Sequence, residues 1–409
     1  MISLLTAIYI ALASVVLFFL VFPFFKTLLT VLVPEKRPTA DIEKEYDFAC
    51  IITAYKNIEI TKPLVQSLLQ QQYGNFAVYV IADACEESDF GIKDERLKVL
   101  FPNPALNLKV KSIIHATEHF IRPHEFCVIF DADNLAHPQF LAEINRYANQ
   151  NFQAIQGQRT AKNLDTIYAC ADSIGEFYKN YVERLAPARL GSSSVISGSG
   201  MAIETKLYQS YLQSPEIQQG KKLGKRMLQE DKILQNHLLK ADVRIVYAWD
   251  AVVYDEKVTT AQAVETQRSR WLFSYFQNMP NSLGLIRRGL FNWSFNQLFF
   301  GIVTIAPPLF ILVFSAGLLF LLGLFVHLPM AIALFIGLGV FVLNVFWTLY
   351  LSNVPKVIWE SIWGLPLFIF RQMTALARMR NPDKNFKHSE HNRSIQIDEL
   401  LVEDKKKGS

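Results

Sequence analysis

The chain has 409 residues, of which 51% are apolar and only 19% charged, with a formal net charge of +4 at pH 7. This apolar content is too high for an ordinary soluble protein, in which about 25% of residues are charged. The weak charge and the lack of a basic stripe or zinc-finger signature give no indication of nucleic-acid binding, so we expect none. The four cysteines, Cys50, Cys85, Cys127 and Cys170, have no paired spacing and are expected to be reduced residues of a cytosolic domain.

The chain opens with an apolar segment, residues 1–33, which we expect to form a membrane helix. Ile2–Phe22 alone reaches the roughly 20 residues that cross a bilayer. A cleaved signal peptide would show a basic start and a small-residue cleavage site, and neither is evident, so we expect the helix to be retained. Lys36 and Arg37 follow the segment, whereas no basic residue precedes it. The positive-inside rule therefore predicts that the following residues lie in the cytoplasm.

Residues 46–285 have the mixed composition of a soluble domain and alternate between strand and helix patterns. Short runs of apolar and β-branched residues predict three strands, Phe48–Thr53, Ala77–Ala82 and Phe126–Phe130. Apolar residues at helical spacing predict two helices, Lys62–Gln72 and Val110–Phe120. This alternation predicts an α/β fold with a mostly parallel sheet covered on both faces.

Polar residues end each of the predicted strands. Asp83 closes the second strand, and Asp131 and Asp133 follow the third. Parallel strands bring their carboxyl ends to one edge of a sheet, where such folds bind ligands. Two carboxylates there suit Mg²⁺ or Mn²⁺, which prefer oxygen ligands and often bind together with substrate phosphates. The alternative is a plain turn in which one aspartate caps the next helix.

Two later stretches have residues suited to a substrate site. Ile196–Met201, Ile-Ser-Gly-Ser-Gly-Met, is a small-residue loop that lets backbone approach a ligand, or else an ordinary tight turn. Gln229-Glu230-Asp231 begins a predicted helix that continues to Lys240. Acidic residues in a first turn also interact favourably with the helix dipole, which is a purely structural explanation.

A further predicted helix carries Gln267, Arg270 and Trp271 on one face, at helical spacing. Arginine can hold a phosphate through two hydrogen bonds, and tryptophan can stack on the apolar face of a sugar. The alternative is a structural contact between the guanidinium and the indole ring.

These motifs occur in the order Asp83, Asp131-Ala-Asp133, Gln229-Glu-Asp231, Gln267-x-x-Arg270-Trp271. The order resembles the membrane-integrated family 2 glycosyltransferases, which include the cellulose, chitin and hyaluronan synthases. The resemblance covers roughly residues 46–275 by motif and both flanks by hydropathy. It implies a GT-A nucleotide-binding domain inserted between transmembrane helices, a UDP-sugar donor, and Mg²⁺ or Mn²⁺ as cofactor.

The resemblance also implies roles for individual residues. The nucleotide would contact Thr53, Ala54, Tyr55, Asp83, Lys111 and Asp131. Asp131 and Asp133 would hold the metal, and Asp231, with Glu230 beside it, would be the general base. The acceptor sugar and the diphosphate would contact Ser197, Gly198, Ser199, Gly200, Gln267, Arg270 and Trp271. The chain departs from the family pattern at Lys56-Asn57, where Asn-Glu is usual, at Thr53, which replaces a common proline, and before Lys111, where a glycine is missing.

These roles imply in-line attack on an α-linked UDP-sugar, which inverts the anomeric carbon and extends a growing β-linked glycan. The motif from Gln267 to Trp271 is associated in the family with repeated addition, which favours a processive polysaccharide synthase. Transfer of one sugar to a membrane lipid and a catalytically silent membrane scaffold are the alternatives. The expected partners are the UDP-sugar, a glycan or lipid-linked acceptor, membrane lipids, and accessory export subunits or further copies of the chain. The expected location is the inner (plasma) membrane, with several spans and a cytoplasmic catalytic domain.

Residues 290–372 are again predominantly apolar. Leu290–Ala306 is predicted as an interfacial or entering helix, and Leu309–Val326 and Ala331–Leu351 as spans. Val357–Phe370 is short and contains Glu360, so we expect it at the interface rather than as a last span. The basic residues after it favour a cytoplasmic tail; they are Arg371, Arg378 and Arg380.

Residues 381–409 form that expected tail. Phe386 and Ser389 lie in a stretch that resembles the gating segment of the family, with serine in place of threonine. A flexible polar tail is the alternative, and Lys405–Lys407 is expected to be a disordered, solvated end.

Overall fold

The computed structural model describes residues 4–34, 42–222, 229–377 and 395–407. Its strands are β1 (Phe48–Tyr55), β2 (Phe76–Asp83), β3 (Leu97–Leu100), β4 (Phe126–Asp131), β5 (Leu135–Ala136), β6 (Ala154–Ala161), β7 (Met201–Glu204) and β8 (Ile245–Asp255). They form one sheet in the order β3-β2-β1-β4-β7-β6-β8-β5. The sheet is mixed: β1 to β4 run parallel to one another, and β7 is antiparallel to both of its neighbours.

The helices are α1 (Leu4–Leu32), α2 (Lys62–Leu69), α3 (Lys109–Glu118), α4 (Phe140–Ala148), α5 (Ile167–Lys179), α6 (Ala186–Arg189), α7 (Thr205–Leu212), α8 (Pro215–Lys222), α9 (Glu230–Lys240), α10 (Ala261–Phe291), α11 (Phe295–Ile305), α12 (Leu309–Val326), α13 (Leu328–Leu351), α14 (Lys356–Glu360), α15 (Leu365–Ala377) and α16 (Ile397–Lys407). Successive residues of β1 face opposite sides of the sheet. Ala49 and Ile51 enter one apolar core, and Cys50 and Ile52 enter the other. The sheet is therefore covered on both faces, as the apolar strand patterns predict.

The strand register brings the predicted polar strand ends together. Tyr55 at the end of β1 pairs with Asp83 at the end of β2, and Thr53 pairs with Asp131 at the end of β4. This confirms the prediction that these residues meet at one edge of the sheet.

Three helices of the described residues, α1, α12 and α13, are long and apolar enough to cross a membrane. They pack on one another through a shared apolar cluster that includes Leu20, Leu312 and Leu334. The stretch Val357–Phe370 is divided among α14, a 3₁₀ turn at Ile362–Gly364 and α15, and is not one of these candidate spans. Its predicted location at the membrane interface stays a prediction.

Two predicted boundaries are wrong. Leu290–Ala306 is not one helix, because α10 continues to Phe291 and Trp293 then takes a left-handed backbone conformation. The Ser294 hydroxyl accepts from the Gln297 N–H and caps α11. The helix predicted from Ala331 begins at Leu328, where the His327 ring caps it by accepting from the Met330 N–H.

Several predictions for charged or gating residues concern positions outside the described residues: Lys36, Arg37, Arg378, Arg380, Phe386 and Ser389. The expectation of a disordered end at Lys405–Lys407 is wrong, since α16 includes these residues. All four cysteines are free, and three of them are buried.

Candidate active site

The carboxylate of Asp83 organises the loop that precedes α3. Its two oxygens accept hydrogen bonds from the backbone N–H groups of Leu106 (2.7 Å) and Asn107 (2.7 Å). The Tyr55 hydroxyl donates to the Asn107 side chain at 3.0 Å. Tyr55 and Asp83, both predicted to contact the nucleotide, therefore meet at one loop. Each Asp83 oxygen already accepts one backbone hydrogen bond there.

The ammonium group of Lys109 joins three parts of the predicted site. Its Nζ lies 2.6 Å from Asp131 Oδ1, 3.7 Å from Glu230 Oε1 and 3.4 Å from the Gly198 carbonyl oxygen. Lys109 is the first residue of α3, where the helix dipole disfavours a positive charge. The neighbouring carboxylates, rather than the helix, therefore stabilise this cation.

The charges of Lys109 and Glu230 depend on each other. Burial disfavours the ammonium, but the carboxylates of Asp131 and Glu230 outweigh burial and raise the pKa of Lys109. Burial raises the pKa of Glu230, and Lys109 offsets part of that shift. Lys109 is therefore a permanent cation at neutral pH, and Glu230 holds its proton more tightly than an ordinary glutamate.

Asp133 lies in a second cluster, with Asn134 and Asp255. The Asn134 amide Nδ2 is 3.5 Å from Asp133 Oδ1 and 3.4 Å from Asp255 Oδ1. Asp255 also forms an ion pair with Lys257 at 3.0 Å. Burial raises the pKa of Asp255, and the charge on Asp133 adds to that effect while Lys257 opposes it.

The donor atoms at this strand end fit a hard divalent cation. Asp131 is half-buried and Asp133 is buried, and both offer carboxylate oxygens directly after β4. One or two carboxylates completed by substrate phosphates are a usual site for Mg²⁺, and oxygen ligands suit Mn²⁺ equally. Asp131 and Asp133 are thus the residues that could hold the metal.

The glycine loop brings the backbone close to the start of α9. Gly198 has φ +88°, and a Cβ placed on it would be 3.7 Å from the Cβ of Asp231. Of the predicted loop residues, Ser197 and Gly198 are half-buried, whereas Ser199 and Gly200 are buried beneath them. The Gly198 backbone of the loop and the Asp231 side chain of α9 are therefore close enough to contact one ligand.

Gln229 connects the start of α9 to α10. Its side-chain oxygen accepts from the Ser274 hydroxyl at 3.0 Å and from the Asn278 amide, and its own amide donates to Gln277. All three partners lie on α10. The Gln-Glu-Asp motif and the helix with Gln267, Arg270 and Trp271 therefore form one unit.

Comparison with known proteins assigns the chain to a family. The family model "Glycosyltransferase like family 2" matches residues 46–274, which is more than half of the chain. The chain is a family 2 glycosyltransferase. No match is found among curated proteins.

Solved structures show the fold of this glycosyltransferase. It is similar to the mannosyltransferase PcManGT from Pyrobaculum calidifontis in complex with GDP-Man and Mn²⁺, with a TM-score of 0.56 and 13% identity, over 92% of this chain and 100% of that one. S. aureus TarS in complex with UDP-GlcNAc matches with a TM-score of 0.41 and 13% identity, over 85% of this chain and 94% of that one. The mixed sheet is thus a GT-A-like domain, with apolar helices on both sides of it in the sequence.

In this glycosyltransferase, the Trp271 ring contacts Arg268 rather than Arg270, the arginine considered in the sequence analysis. The Arg268 guanidinium lies 4.2 Å from the centroid of the Trp271 ring and also pairs with Asp172. Lys179 Nζ lies 5.2 Å from the same ring. Arg268 therefore takes the structural role that was an alternative for Arg270, and the Trp271 side chain keeps 37% of its surface exposed.

Gln267 and Arg270 lie on the same helix with different surroundings. The side-chain oxygen of Gln267 is buried and accepts no hydrogen bond from the residues described. Burial lowers the pKa of Arg270, which still leaves it a cation at neutral pH. The roles predicted for both residues stay predictions.

A buried ion network beneath the glycine loop is not among the predicted features. Glu176 lies between Arg159 (2.9 Å), Arg184 (2.6 Å) and Lys257 (3.6 Å). Burial would raise the pKa of Glu176, but the three cations hold it well below its ordinary value. Arg159 also donates to the Ser197 carbonyl at 3.3 Å, so the network supports the loop that faces Asp231.

Lys109 is another functional candidate that the sequence pattern does not single out. The predicted nucleotide lysine, Lys111, lies two residues further along α3, whereas Lys109 is the lysine that contacts Asp131. The family glycine that would mark the lysine is absent, and Leu108 precedes Lys109. The nucleotide role of Lys111 stays a prediction.

Proposed function

We propose that this glycosyltransferase moves a sugar from a UDP-sugar to a hydroxyl of a growing β-linked glycan, with inversion at the anomeric carbon. The observation that carries the proposal is the Lys109 ammonium, 2.6 Å from Asp131, 3.7 Å from Glu230 and 3.4 Å from the Gly198 carbonyl. One cation thus contacts a residue assigned to the donor, Asp131, a residue beside the proposed base, Glu230, and a residue assigned to the acceptor, Gly198. Such a meeting point is what a transfer reaction between two bound substrates requires.

In the donor site, Thr53, Ala54, Tyr55, Asp83 and Lys111 would contact the nucleotide. Asp131 and Asp133 would hold Mg²⁺ or Mn²⁺. When bound, the metal would neutralise charge on the diphosphate. The Pyrobaculum mannosyltransferase of similar fold is described with Mn²⁺, which supports a divalent cation here.

In the transfer step, Asp231 would accept the proton of the acceptor hydroxyl, whose own pKa is far above 7. The hydroxyl oxygen would bond to the anomeric carbon as the bond from that carbon to the diphosphate breaks. The electron pair of the broken bond would leave with UDP. Lys109 and Arg270 would stabilise the negative charge that UDP gains.

In the acceptor site, Gln267 and Trp271 would bind the sugar that receives the new residue. The buried amide oxygen of Gln267 accepts no hydrogen bond from the part of the chain that the structure describes, and a sugar hydroxyl would supply one. Ser197 and Gly198 would border the same site, with Ser199 and Gly200 beneath them. Processive elongation is the favoured outcome, because α10 carries the motif associated with repeated addition. α11 and the candidate span α12 follow α10 in the chain.

Single transfer to a membrane lipid is the second candidate. The observation that favours it is the number of candidate spans: the described residues contain three, a small set for a channel that one chain would use to export a polymer. A lipid acceptor needs no such channel.

Donor turnover would separate these functions. The purified protein would be incubated with radiolabelled UDP-glucose, UDP-N-acetylglucosamine or UDP-glucuronate and a divalent cation, and the products sized on a gel. A high-molecular-weight product supports the glycan synthase, and a single lipid-extractable adduct supports the lipid transferase. Absence of transfer with every donor would favour a silent scaffold and contradict the proposal.

Asp133→Asn tests the metal site. We expect this variant to abolish transfer and to weaken UDP binding in the presence of Mn²⁺ or Mg²⁺, because an amide cannot supply the anionic oxygen that the cation needs. Titration calorimetry with UDP, with and without metal, measures the effect. Turnover near that of the wild type, or turnover that survives excess chelator, would contradict the metal assignment.

A further inference from the structure

The helix α16 packs against the edge of the catalytic sheet. Ile397 and Leu400, three residues apart on one face of the helix, are 1% and 3% exposed. They form an apolar cluster with Leu135 of β5 and Tyr254 of β8. Val402, on the same helix, is 52% exposed. The helix thus has a buried face and a free face, and the buried face touches the catalytic domain.

The surface that α16 covers begins two residues after Asp133. Leu135 pairs with Tyr254, and Ala136 pairs with Val253. β5 is a two-residue edge strand whose strand partner is β8. So short a strand has little stability of its own. The burial of Leu135 against Ile397 and Leu400 therefore adds an apolar contact to the hydrogen bonds that hold β5 on the sheet.

The two faces of β5 have different supports. On one side, the Ala136 N–H donates to the Ser67 hydroxyl of α2 at 3.1 Å. On the other side, Leu135 lies in the cluster with Ile397 and Leu400. Loss of α16 would thus release one face of β5 and leave the other attached.

The strand β5 follows the metal loop directly along the backbone. Asn134 lies between Asp133 and Leu135, and its amide is 3.5 Å from Asp133 and 3.4 Å from Asp255, the last residue of β8. Any shift of β5 away from β8 would separate this amide from Asp255. The position of the Asp133 carboxylate therefore depends on the packing of β5.

We propose that Ile397 and Leu400 are positioning residues for the donor site: α16 holds β5 against β8 and thereby fixes Asp133 where it binds the metal–diphosphate. The functional part of this inference rests on the proposed function. Its structural part, the coupling of α16 to the Asp131–Asp133 loop, does not. Leu400, nearly 270 positions after Asp133 in the chain, would then affect how tightly the Asp131–Asp133 loop binds the metal.

Hydrogen–deuterium exchange on the metal-free protein tests the coupling. Leu400→Ser and Ile397→Ser each place a hydroxyl in the apolar cluster, and Val402→Ser is the matched control on the exposed face. We expect the first two variants to speed exchange about tenfold or more in residues 395–402 and in residues 131–136, because both segments open together. Exchange in β2 should not change, which shows that the domain remains folded. The control should match the wild type in every segment.

Faster exchange in residues 395–402 with an unchanged rate in residues 131–136 would overturn the inference. So would unchanged exchange in both segments for Ile397→Ser and Leu400→Ser, since that would mean the helix does not depend on this cluster. If Leu400→Ser unfolds the domain, Leu400→Ala makes the same comparison with a smaller perturbation.

The functional part is measured as the Mn²⁺ concentration needed for half-maximal UDP binding. We expect Leu400→Ser to raise it severalfold and saturating Mn²⁺ to restore turnover, whereas Asp133→Asn should lose the metal dependence altogether. If Asp133→Asn has no effect on UDP binding, the proposed donor site fails. If Asp133→Asn abolishes metal-dependent binding and Leu400→Ser leaves it unchanged, only the role of α16 fails.

Discussion

Asp231 is the residue on which the proposed chemistry most depends. It lies at the first turn of α9, and its Cβ is 3.7 Å from the position that a Cβ on Gly198 would take. Asp231→Asn keeps the size of the side chain and removes the base, so turnover should fall by about 10²–10⁴-fold. UDP binding should survive, because the donor residues are untouched. Turnover, UDP affinity and melting temperature would be measured on the same preparation.

The structural alternative for Asp231 predicts a different result. If the carboxylate only stabilises the helix start, its loss would cost about 0.5–2 kcal/mol of stability. Turnover within about threefold of the wild type, together with a lowered melting temperature, would mean that the base lies elsewhere.

Glu230 should make the stability of the protein depend on pH. Its folded-state pKa is raised from 4.5, mainly by burial. A raised pKa stabilises the fold at low pH, and that contribution is lost as pH rises from 4.5 through the folded-state pKa. Glu230→Gln removes this titration. The melting temperature of the variant minus that of the wild type should therefore increase with pH across this window, in scans from pH 4 to 8. A difference independent of pH would show that Glu230 titrates as an ordinary glutamate.

At the scale of elements, the Gln229 side chain holds α9 against α10. Gln229→Ala would remove one hydrogen-bond partner from each of the half-buried side chains Ser274 and Asn278, at about 0.5–1.5 kcal/mol per hydrogen bond lost. We expect a lower melting temperature and lower turnover. The hydrogen bonds of Gln229 to α10 fix the position of Asp231 relative to the helix face with Gln267 and Trp271, and the variant loses them. Gln219→Ala, at an exposed position of α8, is the matched control. A stable variant with wild-type turnover would show that the two helices are positioned by other contacts.

Strand and helix patterns predict the elements whose signal is local. β2 is apolar along its length and ends at Asp83, so both its burial and the polar strand end are readable from the sequence. The contact between Asp133, Asn134 and Asp255 is not readable, because it joins residues more than 120 positions apart through an edge strand of two residues. The contact of Lys109 with Glu230 cannot be predicted from the sequence either, because the two residues are distant in sequence and lie on separate helices, α3 and α9.

Helical spacing does not predict the contact of a side chain when two residues of the same helix can both reach it. Trp271 shares a helix face with Gln267 and Arg270, but Arg268 lies three residues before it and reaches the ring as well. Burial of Arg268 against Asp172 decides between them, and that partner is distant in sequence. α16 is short and rich in charge, so its Ile397–Leu400 face is a weak signal until β5 is placed beneath it.

At the scale of the whole molecule, α16 constrains the topology of the membrane segments. It packs on β5 and β8 of the catalytic domain. We therefore predict that the two ends of the segment that contains α12 and α13 lie on the same side of the membrane. Two candidate spans between α11 and α14 satisfy that requirement as a hairpin, with His327 at the turn. A third span at Val357–Phe370 would place the two ends on opposite sides of the membrane.

We therefore predict that the turn at His327 faces outward and the catalytic domain faces the cytoplasm. In intact cells, His327→Cys should react with a membrane-impermeant maleimide. Trp293→Cys, between α10 and α11 at a position that is 94% exposed, should react only after the cells are made permeable. The four native cysteines give a background that is measured on the unmodified protein. Labelling of Trp293→Cys but not of His327→Cys in intact cells would mean that the orientation is reversed. Labelling of both would mean that α12 and α13 do not cross the membrane as a hairpin.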